Sequence, residues 1–232
     1  MCEQLSVRAD EPFALADVWE MAARLEQYGI AGFGWGASWV TADGALATHQ
    51  TTSAFRDDPG REAVGRETTT AALVHLRRPS KLSTVSLADT QPFADPAGRF
   101  AFSHNGELRD HRAHRPAYEL QGRLHGRADS EVGARWLEDA WEAAATSGRS
   151  PGALLAALHA AFGGPANFAL LLPDGSSWHY AGNAENPVFG FRLGRFRVLS
   201  TAAYSIDRSF FRLVAPGARE RRVVRDGEVA AL

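Results

Sequence analysis

The sequence predicts an α+β fold of stacked layers rather than a parallel βαβ fold. Three observations carry this expectation. Strand-like segments fill the first hundred residues and the last third of the chain. Two segments of helical periodicity lie next to each other between them. Short turns rich in Gly, Asp and Asn separate the later strands, at hairpin-like spacing. With 232 residues and 45% hydrophobic content the chain can bury a real core. No repeat, low-complexity tract or linker divides it, so one domain over residues 1–232 is expected.

Leu5 and Val7 alternate with Ser6 and Arg8, which predicts a strand over residues 3–8. Leu15, Val18, Trp19, Ala22 and Leu25 fall at helical spacing, with Gly29 as the stop. Residues 33–40 read as a core strand, with Trp35 between Gly34 and Gly36. Glycines there let backbone pack closely or approach a ligand. Asp43-Gly44 is a hairpin turn into a strand over 45–49. Residues 51–70 are polar, with a loop at Asp57-Asp58-Pro59-Gly60. A buried strand then ends in Val74-His75-Leu76-Arg77-Arg78-Pro79. A loop over 80–93 follows. Phe100 and Phe102 share one face of a strand over 99–103, which runs into His104-Asn105-Gly106.

After Glu107-Leu108 the chain is polar and rich in His and Arg to about residue 127, and reads as a loop. Asp129 or Ser130 caps a helix whose apolar face is Val132, Trp136, Ala140 and Ala143, ended by Gly148. Pro151 opens the next helix at a position where it forfeits no hydrogen bond. Leu154, Leu155, Leu158 and Phe162 are its buried face, and Gly163-Gly164 closes it. Strands over 168–172, 178–181, 188–193 and 196–201 are separated by Asp174-Gly175, Gly182-Asn183 and Gly194. Val223, Val224 and Val229 suggest a last hairpin around Asp226-Gly227.

A net charge of −2 gives no electrostatic case for nucleic acid or an anionic membrane. No run approaches the ~20 apolar residues that span a bilayer. No basic segment followed by an apolar one opens the chain, so a cytoplasmic protein is expected. The single cysteine excludes an intrachain disulfide and fits a reducing compartment. His104, His111, His114 and His125 are dense but match no four-ligand zinc spacing, and read as loop histidines. No metal and no cofactor is expected. Ser6, Ser103 and Asp110 form no Ser-His-Asp elbow.

Cys2 is the residue on which the chemistry turns. A cysteine beside a terminus is by default a frayed, inert thiol. Methionine ahead of cysteine is normally trimmed, however, which would leave a thiol and a free α-amine on one residue. The amine, with a reference pKa of about 7.7–8.0, can accept a proton near neutrality. The thiol attacks as thiolate. A terminal amine acting as base for its own side chain is a known form of activation. The strand over 3–8 would hold Cys2 still.

Cys2, Arg77, Asn105-Gly106 and Asp129 together resemble the class II glutamine amidotransferases of the Ntn-hydrolase superfamily. The motifs occur in matching order: Met1-Cys2-Glu3-Gln4-Leu5, Gly34-Trp35-Gly36, Val74-His75-Leu76-Arg77, Thr90-Gln91-Pro92-Phe93, Phe102-Ser103-His104-Asn105-Gly106 and Ala128-Asp129-Ser130-Glu131. The resemblance implies a four-layer αββα sandwich with two stacked, mostly antiparallel sheets. It implies that Cys2 attacks a γ-amide, and that Asn105 and the Gly106 N–H stabilise the oxyanion. It also implies that Arg77 holds the substrate α-carboxylate and Asp129 its α-ammonium. Arg77, two residues after the histidine, matches the family position, and Arg78 does not.

Two segments depart from the family pattern. Ala31-Gly32-Phe33 stands where relatives often carry a His/Asp pair, and Ser80-Lys81-Leu82 replaces a more Gly-containing loop. The reaction expected is hydrolysis of the γ-amide of glutamine or of a γ-glutamyl amide. The alternative within enzymes is a dedicated γ-glutamyl conjugate hydrolase in a small-molecule pathway, of the ergothioneine type. The alternative from another class is a non-catalytic γ-glutamyl-binding or regulatory subunit. With no synthase segment in the sequence, either a partner subunit receives the ammonia or the enzyme only hydrolyses.

Overall fold

The computed structural model describes residues 2–144, 148–203 and 209–232. Among the described residues twelve strands are formed: β1 (Glu3–Ala14), β2 (Trp35–Val40), β3 (Leu46–Thr51), β4 (Thr68–Leu76), β5 (Phe93–Ala94), β6 (Ala101–Gly106), β7 (Ala166–Leu171), β8 (Ser177–Tyr180), β9 (Val188–Leu193), β10 (Phe196–Thr201), β11 (Arg219–Val224) and β12 (Val229–Ala231). The helices are α1 (Trp19–Gly29), α2 (Arg61–Gly65), α3 (His111–Leu120), α4 (Asp129–Ala144), α5 (Pro151–Phe162) and α6 (Phe210–Leu213).

Seven strands make one sheet in the order β11-β9-β10-β1-β4-β2-β3, and five make a second in the order β12-β8-β7-β6-β5. The pairings are antiparallel, with Leu5 opposite both Val74 and Ser200 in the first sheet and Asn105 opposite Asn167 in the second. Each sheet buries its outer face under helices. Leu5, Val7, Trp35 and Val74 pack with Leu15, Met21, Leu25 and Phe210. Phe100, Phe102 and Phe168 pack with Val132, Leu137, Leu154 and Leu158. Val40, Ala71, Leu73, Ala101, Ala169 and Leu171 form a third cluster where the two sheets face each other. The result is the four-layer αββα sandwich.

The two-residue period of a strand assigns side chains to these layers. In β1, Glu3, Leu5 and Val7 point outward, and Gln4 and Ser6 point into the inter-sheet gap. There Gln4 Nε2 donates to Ser103 Oγ at 3.0 Å, and Ser6 Oγ lies 2.7 Å from His179 Nε2. In β4 the inward residue is His75, whose Nδ1 is 2.8 Å from the same Ser103 Oγ. In β6 the inward residues are Ala101, Ser103 and Asn105. Cys2, Arg77 and Asn105 continue these inward rows, so all three emerge at one end of the gap.

Several expectations are corrected. The residue 109–127 stretch is not all loop, because α3 occupies its centre. That helix has a single buried residue, Tyr118, and contains Pro116, so it shows no apolar stripe. Polar bonds hold it instead: Tyr118 OH donates to Asp139 Oδ2 at 3.0 Å, and Arg115 Nη2 donates to the Ala128 carbonyl at 2.8 Å. Gly182-Asn183 is no hairpin, because β8 and β9 belong to different sheets. Nor do β11 and β12 pair with each other: β11 pairs with β9 and β12 with β8. Turn chemistry signals a reversal of the chain, but not the sheet to which the next strand returns. The hairpins at Asp43-Gly44, Asp174-Gly175 and Gly194 do form. Ser150 caps α5, its hydroxyl accepting from Ala153 N at 3.2 Å. Among the described residues no helix is long and apolar enough to cross a membrane.

Candidate active site

A cavity of about 590 Å³ opens where the inward rows end, and Cys2, Arg77, Gly106 and Asp129 all line it. Asn105 lies directly behind Cys2. Its side-chain Nδ2 donates to the Cys2 carbonyl, while its Oδ1 accepts from Asn167 Nδ2 at 3.4 Å and Asn186 Nδ2 at 3.3 Å. The amide is thus gripped from β7 and from residues beside β1 and β9, with its N–H side turned toward Cys2. Gly106 has a φ of +129°, and a Cβ there would lie 1.9 Å from the Pro165 carbonyl oxygen. Only glycine fits where β6 turns away from β7.

Cys2 is partly exposed to the cavity. Its sulfur accepts from Arg78 N at 3.3 Å and lies 3.7 Å from the Arg78 carbonyl. Burial pushes the thiol pKa up, against the Arg78 backbone N–H and the positive charges nearby, Arg77 among them. A proton acceptor beside the sulfur is therefore needed to form thiolate near neutrality.

Arg77 is 4% exposed, and burial lowers its pKa. Its backbone is pinned by the Gly34-Trp35-Gly36 segment and the residues just before it: Arg77 N donates to the Gly34 carbonyl at 2.9 Å, and Gly32 N donates to the Arg77 carbonyl at 3.1 Å. Nη1 donates to the Ser86 carbonyl at 3.1 Å and Thr90 Oγ1 at 3.3 Å, and Nη2 donates to the Thr84 carbonyl. These bonds use three of the five guanidinium N–H donors. The Nε–H and one Nη2–H remain as a side-on fork for a carboxylate. The close approach at Gly36, where a Cβ would meet the Gln91 carbonyl oxygen at 2.3 Å, lets residues 90–92 lie across β2 and reach Arg77.

Asp129 is the first residue of α4. Its Oδ2 accepts from Leu108 N at 2.7 Å and its Oδ1 from Ser130 N at 2.9 Å. Both oxygens are oriented by backbone donors, Oδ1 also lies 3.5 Å from Ser130 Oγ, and the residue lines the cavity. Ser130 faces inward instead, with Oγ 2.8 Å from His104 Nδ1 and accepting from Gln91 Nε2 at 3.1 Å. His104 is therefore a buried strand residue, not a loop histidine, and burial lowers its pKa. His111 and His114 stand on α3, and His125 lies in the loop after it. Among the described residues no cluster of His, Cys, Asp or Glu could hold a metal ion.

Four of the five residues singled out in the sequence thus line one cavity, and the fifth, Asn105, is buried behind Cys2. The sequence reading missed Thr84, Ser86, Asp89 and Thr90, which fix Arg77 and the approach to Asp129. It also missed Asn167 and Asn186, which grip Asn105. A loop sequence carries no pattern for such long-range contacts. The Asn167 partner could have been found by aligning the inward row of β7 against that of β6.

The family of class-II glutamine amidotransferases matches residues 1–189. The fold is shared with glutamine phosphoribosylpyrophosphate amidotransferase from B. subtilis, at 18% identity and a TM-score of 0.73, over 99% of this chain and 47% of that one. It is shared with a structure described as the allosteric regulatory enzyme of purine biosynthesis, at 17% identity and a TM-score of 0.72, over 99% of this chain and 46% of that one. A glutamine aminotransferase class-II domain protein from Silicibacter pomeroyi aligns at 16% identity and a TM-score of 0.62, over 99% of this chain and 94% of its own. The chain spans just under half the length of the first two. No curated protein matches. The family match covers residues 1–189, well over half of the chain, and the chain belongs to the class-II glutamine amidotransferases.

Proposed function

We propose that residues 1–232 form one amidohydrolase domain in which the Cys2 sulfur attacks the γ-amide carbon of glutamine or of a γ-glutamyl amide. The new S–C bond creates a tetrahedral oxyanion, which the Asn105 side-chain amide and the Gly106 backbone N–H stabilise. Once the initiator methionine is removed, the α-amine of Cys2 takes the thiol proton and delivers it to the departing nitrogen as the C–N bond breaks. Water then cleaves the thioester and releases glutamate. Arg77 holds the α-carboxylate through its side-on fork, and Asp129 holds the α-ammonium. The observation that carries this reading is the convergence of a partly exposed thiol, a guanidinium and a carboxylate on one cavity, with the Asn105 amide bonded to Cys2 directly behind it.

The cavity size favours a second reading of the donor. A volume of about 590 Å³ lies in the range that takes drug-sized ligands and exceeds what glutamine alone needs. A γ-glutamyl conjugate with a larger leaving amine fills it better. A panel of γ-glutamyl amides, graded in leaving-group size and assayed for released glutamate with and without candidate partner proteins, separates the two. Turnover of conjugates with no ammonia release from glutamine selects the conjugate hydrolase. Failure of a glutamine-analogue electrophile to modify Cys2, together with no glutamate from any amide, would sink both.

A further inference from the structure

Arg77 and Asp129 come from different halves of the sandwich. Arg77 follows β4 of the seven-stranded sheet, and Asp129 opens a helix that packs on the five-stranded sheet. Neither sheet by itself fixes the distance between them. One side chain bridges the two. Asp89 is 2% exposed and lines the cavity. Its Oδ1 accepts from Arg127 N at 2.6 Å and Ala128 N at 2.7 Å, the two residues that lead into Asp129. Its Oδ2 accepts from Ser86 Oγ at 2.9 Å, and the Ser86 carbonyl in turn accepts from Arg77 Nη1 at 3.1 Å. The approach is close enough that a Cβ on Gly126 would lie 2.1 Å from Asp89 Oδ1. A buried carboxylate that takes two backbone N–H groups on one oxygen and a hydroxyl on the other makes charge-assisted bonds, which are short and directional.

We propose that Asp89 is the positioning residue that sets the spacing between Arg77 and Asp129, and thereby the requirement for a substrate with both a free α-carboxylate and a free α-ammonium. The inference rests on the reading above, in which those two residues hold the amino-acid end. Asp89 touches no reacting atom. A substrate gripped at both charges depends on the spacing, whereas one gripped only through its carboxylate does not. Misplacement of about 1 Å in such a pair costs up to 10²-fold.

The test compares γ-glutamyl anilide with glutaryl anilide, which lacks the α-amine, as substrates of the full-length protein. The wild type is expected to favour γ-glutamyl anilide. In Asp89→Ala its KM should rise about 10- to 100-fold with a small change in kcat. KM for glutaryl anilide should stay within about 3-fold, so the discrimination collapses. Asp89→Asn keeps a carbonyl oxygen for Arg127 and Ala128, and should recover most of the discrimination. The glutaryl substrate also reports on folding, since it needs the same thiol and oxyanion donors. Equal losses on both substrates in Asp89→Ala, or unchanged discrimination, would overturn the positioning role and leave the amidohydrolase reading standing. A wild type that cleaves neither anilide nor any other γ-glutamyl amide would overturn that reading, and this inference with it.

Discussion

The two ends of the cavity are built on different principles. At the Cys2 end every contact is made by strands or by residues adjoining them. Asn105 is fully buried, and its oxygen is held by Asn167 and Asn186. At the Arg77 end the guanidinium is caged by loop carbonyls from Thr84 and Ser86, and Asp129 is tied to Leu108 and approached through the Asp89 clamp. Leu82 and Leu87 in that loop are 70% and 56% exposed, so it has little apolar anchoring. The strand-built end resists displacement because moving it breaks ladders on both sides. The loop that cages Arg77 is held by polar bonds and has little apolar packing of its own. In the proposed reading, chemistry that needs sub-ångström placement therefore sits on the framework, and recognition of the substrate sits on the part that can vary.

The largest effects should come from the strand-built end. Cys2→Ala should abolish glutamate release while the circular dichroism spectrum and melting temperature stay near wild type, since the sulfur is partly exposed and packs no core. Asn105→Ala should lower kcat by about 10²–10³, the cost of losing one oxyanion donor. It also removes the acceptor of Asn186 Nδ2, while Asn167 Nδ2 keeps the Asn186 carbonyl at 2.7 Å, so a stability loss of about 1–3 kcal/mol should accompany it. An Asn105→Ala protein with wild-type kcat would remove the oxyanion role and blur the contrast between the two ends.

At the loop-built end the effect should fall on KM. Arg77→Ala deletes a buried charge from among three oxygen acceptors. Truncating one partner of such a group costs about 2–5 kcal/mol, part of which will appear as lost stability. Arg77→Lys keeps the charge but cannot form a fork, and should recover only a small part of the affinity. Steady-state kinetics on a γ-glutamyl amide decide the matter: a loss carried by kcat with KM unchanged would mean that the guanidinium acts on the chemical step.

The same contrast explains what the sequence revealed. The strand-built end was legible because a period of two is visible in sequence: Leu5 and Val7 against Gln4 and Ser6, and Phe100 and Phe102 against Ser103 and Asn105. Cys2 stands at the head of one such row and Asn105 at the end of another, so alternation alone puts both on the face opposite the apolar one. It was the ordered motifs, not the alternation, that marked Asn105, Gly106, Arg77 and Asp129 as site residues. The loop-built end was illegible because its bonds join residues far apart in the chain without a repeating pattern. Asp89 and Arg127 are 38 apart, and Arg77 and Ser86 are separated by an irregular loop with one short turn. The helix α3, whose first turn lines the cavity, was read as loop because polar bonds and not an apolar face hold it.

The smallest effect tests the framework itself. The inter-sheet gap holds neutral histidines: His75, whose pKa burial and then Arg77 drive well below its ordinary value, and His179, which burial pushes down to about 3. His179 Nδ1 has no hydrogen-bond partner among the described residues, and its Nε2 meets only Ser6 Oγ. A proton on that ring would be desolvated and unpaired. Its folded pKa lies below the unfolded one, so its contribution to stability is fully present above pH ~6.5 and is lost as pH falls toward 3. The slope is about 1.4 kcal/mol per pH unit for one such histidine. Urea unfolding at pH 7 and pH 5 should therefore show the wild type losing more stability than His179→Gln, by about 2 kcal/mol. Activity at pH 7 should stay near wild type in that variant, because the ring lies along the strand rows and outside the cavity lining. Identical pH slopes in the two proteins would mean that the gap admits water to His179. The rigidity attributed to the strand-built end would then rest on the ladders alone.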